Sequence, residues 1–162
     1  MIPIPAWPPA SNPMWVRAAQ IVTEMRKKGT QNPFIIATLT NTYAESDMTP
    51  KVIGDNDTAF SIVQWHWNPR GQRIFDNTRI DVRSETSISK LVDAMFWELQ
   101  NVYPNVLKEL QTATTGAQAT QIFCKFYEIA GAANAIQRRV LESEYMTVWL
   151  SQNEDFISQH GG

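Results

Sequence analysis

Proline placement sets where this chain can start a helix. Ser11-Asn12-Pro13, Asn32-Pro33 and Pro104 each precede a run of apolar residues at helical spacing. Proline's fixed φ suits a first helical turn, where its missing N–H has no partner to lose, and Ser or Asn just before it can cap the helix. After Pro13 the stripe is Trp15, Ala18, Ala19, Val22 and Met25. After Pro33 it is Phe34, Ile35, Ile36 and Leu39, running to about Glu45, and after Pro104 it is Val106, Leu107 and Leu110. Ser87 opens another stripe through Ile88, Leu91, Val92, Met95, Phe96 and Leu99. Residues 117–127 and 133–150 carry the same period, and Pro69 to Phe75 a weaker version of it. Such a chain is expected to be mostly α.

Two stretches break the pattern. Four prolines in the first nine residues dictate an extended, polyproline-like arm over residues 1–12, lying across the domain or tethering it to a partner. From Ser46 to Trp67 the helical period is lost. Pro50, Gly54 and the run Asp55-Asn56-Asp57-Thr58 are turn chemistry around a small hairpin or irregular lobe. Ala59, Phe60, Ile62 and Val63 fit either a short strand or a short helix there. Residues 13–160 read as a single domain, and a chain of 162 residues can bury a sizeable core.

Several function classes fall away. Net charge is −2, and the longest basic run, Arg26-Lys27-Lys28, precedes Gly29 where cations favour a helix C-terminus. No nucleic-acid partner is expected. The single cysteine, Cys124, has Phe123 and Phe126 nearby, so it reads as a buried thiol rather than a disulfide partner, zinc ligand or nucleophile. With His66 and His160 the only histidines, neither a metal site nor a cofactor is expected. No apolar run approaches the roughly 18 residues of a membrane span, and the uncharged, proline-rich start does not fit a secretory signal. Ser61, His66 and Asp55 lack the glycines of a nucleophile elbow, which argues against a serine hydrolase.

Glu45 is the residue with chemistry to offer. It ends the most hydrophobic helical run. Burial and the negative end of the helix dipole are both expected to favour its protonated form. A glutamic acid that keeps its proton is what glycoside cleavage needs, because the leaving sugar oxygen must be protonated. Read on spacing alone, Glu45 fits a solvated helix end better.

The segment Asn41-Thr42-Tyr43-Ala44-Glu45-Ser46-Asp47-Met48-Thr49-Pro50, followed by Val52-Ile53-Gly54-Asp55-Asn56-Asp57-Thr58-Ala59-Phe60-Ser61-Ile62-Val63-Gln64-Trp65, adds a resemblance. It resembles the phage tail lysozyme family, within the lysozyme-like group that includes goose-type lysozymes and lytic transglycosylases. The matching pattern is an Ala-Glu-Ser at a helix end, a Gly-Asp turn and a Gln-Trp. It continues through Phe96-Trp97-Glu98-Leu99, Tyr103-Pro104, and Phe123-Cys124-Lys125-Phe126-Tyr127-Glu128 to Arg138-Arg139. Ser61 stands where that family usually has glycine, and Asp57 where glycine is also common.

The resemblance implies a lysozyme-like α+β fold, mostly α, with the small lobe after the catalytic helix. It implies a muramidase that cuts the β-1,4 bond between N-acetylmuramic acid and N-acetylglucosamine in bacterial peptidoglycan, with Glu45 as general acid. Phage tail or other virion proteins would be further partners, and the site of action the virion or the bacterial periplasm and cell wall, without membrane insertion. Asp55 and Asp57, two apart, are the candidates for a second carboxylate, since residues two apart in an extended segment share a face. The same Asp-Asn-Asp run is also ordinary turn chemistry. If neither faces Glu45, a transglycosylase route follows, in which the sugar's 6-hydroxyl attacks. Gln64, Trp65 and Tyr127 are the expected cleft wall, Trp65 offering a ring for a sugar, although Trp65 and Tyr127 fit a buried core place equally; Ser46 offers a hydrogen bond near the acid or merely ends the helix. A lysozyme-like domain kept for glycan binding or assembly is the competing reading. A Glu45 occluded, or paired to an arginine without an open groove, would favour it.

Overall fold

The computed structural model describes residues 7–129 and 133–162. It is mostly helical, with eight α-helices among the described residues and one small antiparallel sheet. Helix α1 (Met14–Lys27) begins just after Pro13, with the Asn12 side chain accepting the Met14 N–H at 2.9 Å. All five apolar residues predicted on its stripe are buried. Helix α2 (Asn32–Ser46) has Pro33 in its first turn.

Residues 34–42 of α2 are buried without a polar face, so this helix is the axis of the domain. Its buried hydroxyls are satisfied locally. Thr38, Thr40 and Thr42 donate to carbonyls one turn back at 3.0, 2.7 and 2.7 Å. Around α2 lie α1, α5 (Pro104–Thr112), α6 (Gly116–Ile122) and α7 (Ala133–Gln152). Helix α4 (Ile88–Asn101), capped by the Ser87 hydroxyl at the Lys90 N–H, packs on α1 and on α3 (Gln72–Thr78). Gly116 allows the closest approach of α6 to α2, because a Cβ there would press on the Ile36 side chain.

The chain end differs from expectation. An eighth helix, α8 (Glu154–His160), packs on α1, and the Arg26 guanidinium grips the Glu154 carboxylate with two hydrogen bonds at 2.8 and 2.7 Å. Gly161 is buried, where a Cβ would strike the Thr23 side chain and backbone carbonyls of Ala19 and Ile157. Of the proline-rich arm expected over 1–12, residues 1–6 lie outside the described residues. Trp7 stacks on Tyr145 and Tyr43 at 4.0 and 4.7 Å between ring centres.

The lobe between α2 and α3 holds strands β1 (Ile53–Gly54), β2 (Ala59–Phe60) and β3 (Trp65–His66) in the order β1-β2-β3. Ile53 pairs with Phe60, and Phe60 with Trp65. Of the apolar run left open between strand and helix, Ala59 and Phe60 are strand, while buried Ile62 and Val63 lie in the turn that follows. Eight non-glycine residues between Asp47 and Gln64 have left-handed backbone: Asp47, Met48, Lys51, Asp55, Asn56, Asp57, Ser61 and Gln64. Such conformations persist only where surrounding contacts impose them. Here the contacts are visible. Arg17 of α1 reaches the Met48 and Asp47 carbonyls at 2.8 and 3.2 Å, and the Met48 side chain is fully buried.

Candidate active site

Glu45 lies in the last turn of α2, where the helix meets the lobe. Its carboxylate accepts a hydrogen bond from Arg139 Nη2 at 2.7 Å and keeps 22% of its side-chain surface exposed. Arg139 belongs to α7, and its other terminal nitrogen donates to Asn41 Oδ1 at 2.8 Å, one helical turn before Glu45. Asn41 in turn donates to the Ala37 carbonyl at 2.8 Å, so the acceptor that orients Arg139 is itself fixed. Burial works against the Arg139 charge, but the Glu45 hydrogen bond raises its pKa above the ordinary guanidinium value. A depression of about 310 Å³ opens beside Arg139, lined by Tyr43, Ala44, Asp47, Ala135, Arg138, Arg139 and Glu142. Glu45 does not line it, but its own 22% exposure leaves it paired and not sealed off.

Ser46, next in sequence, holds the lobe rather than facing outward. Its hydroxyl lies 3.1 Å from the Thr42 carbonyl and 2.9 Å from the Ile62 carbonyl. Gln64 is similarly occupied. Its Nε2 donates to the Val52 and Ser61 carbonyls at 3.1 and 2.9 Å. A Cβ at position 54 would collide with Gln64 Oε1, so Gly54 is what admits this amide. Both side chains brace the lobe from within.

Trp65 and Tyr127 have no exposed surface. The ring that Trp65 was expected to offer a sugar is enclosed in the core, and its indole N–H donates to Glu98 Oε1 and to the Tyr127 hydroxyl, both at 3.1 Å. Glu98 is itself buried and grips Arg70 with two hydrogen bonds of 2.8 and 2.7 Å. The Arg70 guanidinium also lies 4.9 Å from the Tyr127 ring centre. Burial alone would lower the Arg70 pKa, yet the hydrogen bonds it donates to Glu98 hold it above its ordinary value. Burial pushes the Tyr127 phenol well up, with the Glu98 charge adding to it. Trp65, Arg70, Glu98 and Tyr127 thus form a satisfied polar network inside the fold.

Asp55 and Asp57 occupy the outer turn of the lobe, both exposed. They do not lie on an extended segment with a shared face, because Asp55, Asn56 and Asp57 have φ of 52, 54 and 66° and turn left-handed. Asp55 lies 3.1 Å from His66 Nε2. Asp57 lines an open groove of about 520 Å³ with Thr58, Phe60, His66, Trp67, Asn68 and Arg83. Neither aspartate has a hydrogen bond or ion pair to Glu45 among the described residues.

A further carboxyl was not singled out from sequence. Glu128 follows the wide helical turn Phe123–Tyr127, and its Oε1 is buried without a hydrogen-bond partner. Burial first, and the Glu45 charge second, hold its pKa well above the ordinary carboxylate range, against the pull of Arg70 and Arg139. The Cys124 thiol belongs to the same cluster and is pushed up by burial. The position of Glu98 carried a signal. Glu98 falls on the apolar stripe of α4, seven residues after Leu91, where an acid needs a buried partner.

A family model described as phage tail lysozyme matches residues 16–146 of this chain. No curated protein and no solved structure matches it.

Proposed function

The chain belongs to the phage tail lysozyme family, and from that premise we propose that it is a muramidase acting on bacterial peptidoglycan with Glu45 as general acid. The bond cut is the β-1,4 link between N-acetylmuramic acid and N-acetylglucosamine. The observation that carries the reading is the position of Glu45, at the end of the buried helix α2, partly exposed and backed by Arg139, which lines an open depression. In this role the Glu45 carboxyl protonates the leaving sugar oxygen, and its carboxylate is then held by Arg139.

The hydrolytic route needs a base roughly 6.5–9.5 Å from the acid to hold water on the opposite sugar face. Asp55 and Asp57 are our candidates for it, Asp57 because it lines the groove on the lobe. Without such a base, the sugar's 6-hydroxyl attacks and Glu45 accepts its proton, as in a lytic transglycosylase. The mass of the released muropeptides separates the routes, since anhydro ends are lighter by one water. Delivery on a virion to the periplasm or cell wall is the setting we infer from the family.

Turbidity loss of purified cell walls tests the proposal. Wild type is expected to clear them, and Glu45→Gln is expected not to. A second reading, a glycan-binding or assembly domain with little catalysis, is favoured by the Glu45–Arg139 ion pair and by Ser61 in place of glycine. Binding of walls by wild type without release of soluble fragments supports that alternative.

A further inference from the structure

The depression beside Arg139 holds two charged groups that the fold does not satisfy. Glu142 of α7 lines it, with only 4% of its side-chain surface exposed. Among the described residues its carboxylate accepts no hydrogen bond. Its one ion pair there, with Arg138 Nε, spans 3.9 Å, which is too long for a hydrogen bond. Arg138 stands on the same wall, 33% exposed, and donates no hydrogen bond among the described residues. A buried carboxylate without donors is costly, and burial pushes the Glu142 pKa up against the pull of Arg138 and Arg139. The opposite wall is fixed by stacking. The Tyr43 ring lies 4.7 Å from Trp7, and Trp7 lies 4.0 Å from Tyr145 of α7.

The space of about 310 Å³ admits a group the size of one amino acid, and its walls carry both signs of charge. Glu142 and Asp47 supply the negative charge, Arg138 the unmatched positive one. Arg139 links this space to the acid, because it lines the depression and also donates to Glu45 at 2.7 Å. In peptidoglycan the stem peptide hangs from the muramic acid, the sugar whose glycosidic bond is cut. A muramidase therefore has a peptide tethered close to its acid. Resting on the function proposed above, we propose that the depression is a subsite for the zwitterionic end of an uncrosslinked stem peptide. Its ammonium donates to Glu142 and its carboxylate accepts from Arg138. Crosslinking turns that ammonium into an amide, which removes the charge Glu142 would meet. The subsite thus selects uncrosslinked wall.

Isothermal titration calorimetry of the full chain tests this with two peptides. One is N-acetyl-L-Ala-γ-D-Glu-meso-diaminopimelate, and the other is the same peptide acetylated on its remaining amine. Wild type is expected to bind the first and to lose at least about tenfold in affinity for the second. Glu142→Gln, which keeps the shape and removes the charge, should bind the first peptide at least about tenfold more weakly and no longer tell the two apart. Arg138→Gln should weaken both and still tell them apart. A merely structural Glu142 does not give this pattern. Wild type that binds both peptides equally, or neither, overturns the proposal without need of a variant. Continued discrimination by Glu142→Gln overturns it as well. If walls are cleared in a Glu45-dependent way while neither peptide binds, only this inference falls. If Glu45→Gln cleaves as well as wild type, the muramidase reading falls and the stem-peptide assignment falls with it.

Discussion

Replacing Ser61 by glycine should stabilise the protein. Ser61 sits at φ 71°, fully buried, and its hydroxyl has no hydrogen-bond partner. Left-handed backbone costs a non-glycine residue about 1–2 kcal/mol, and an unsatisfied buried hydroxyl about 1–3 kcal/mol. Against this, glycine loses more freedom on folding, about 0.5–1 kcal/mol, and deleting the side chain forfeits about 0.8 kcal/mol of buried carbon. The net expectation is a gain of about 2 kcal/mol. For a domain of this size that raises the melting temperature by about 4–8 °C. Thermal unfolding followed by circular dichroism reads it directly. Ser61→Ala isolates the hydroxyl, because it removes that group and keeps the backbone strain, so its gain should be about 1–3 kcal/mol, comparable to that of Ser61→Gly. An unchanged or lowered melting temperature in Ser61→Gly refutes the reasoning, since position 61 would then carry no strain to relieve.

Three further outcomes follow from the same structure. Glu98→Gln leaves Arg70 buried beside a neutral partner and should cost about 3–5 kcal/mol in urea unfolding, as for other broken buried ion pairs. Glu154 has its pKa lowered by the hydrogen bond to Arg26, so its stabilising effect is present above the unfolded-state value and disappears as pH falls through the folded one. Because Glu154 is half exposed, Glu154→Gln should cost less than about 1 kcal/mol at pH 7 and nothing measurable in strong acid, as read by melting at each pH. Glu128 has the opposite sign. Its raised pKa means that above the unfolded-state value the folded protein binds the extra proton, so stability declines as pH climbs toward the folded pKa. Glu128→Gln should therefore flatten the fall in melting temperature as pH rises above the ordinary carboxylate range.

The helices were legible because local signals and burial agree. Pro33 opens α2 and the apolar run after it is buried all round, so nothing beyond sequence period was needed to place Glu45 at a helix end. The lobe was legible only as an irregular segment. Its left-handed residues depend on Arg17 reaching the Met48 carbonyl and Ser46 reaching the Ile62 carbonyl, which are contacts distant in sequence. That is also why the alternation argument for Asp55 and Asp57 failed. An aromatic beside a cleft motif serves as a sugar platform or as core, and the sequence leaves Trp65 open between the two. Its indole N–H found Glu98 and Tyr127 in the core instead. The charge cluster around Glu45 was out of reach for a related reason. Arg139 comes from 94 residues away, and Glu128 joins it only once α7 closes against α2. Helix α8 escaped notice because seven residues ending at a pair of glycines carry too little period to register.

The central claim is that Glu45 performs acid catalysis on cell-wall glycan, and release of soluble muropeptides from purified peptidoglycan tests it most directly. The account predicts that wild type releases them and that Glu45→Gln, folded to the same melting temperature within a few degrees, is slower by at least about 100-fold at every pH. Equal release by the two proteins would contradict it.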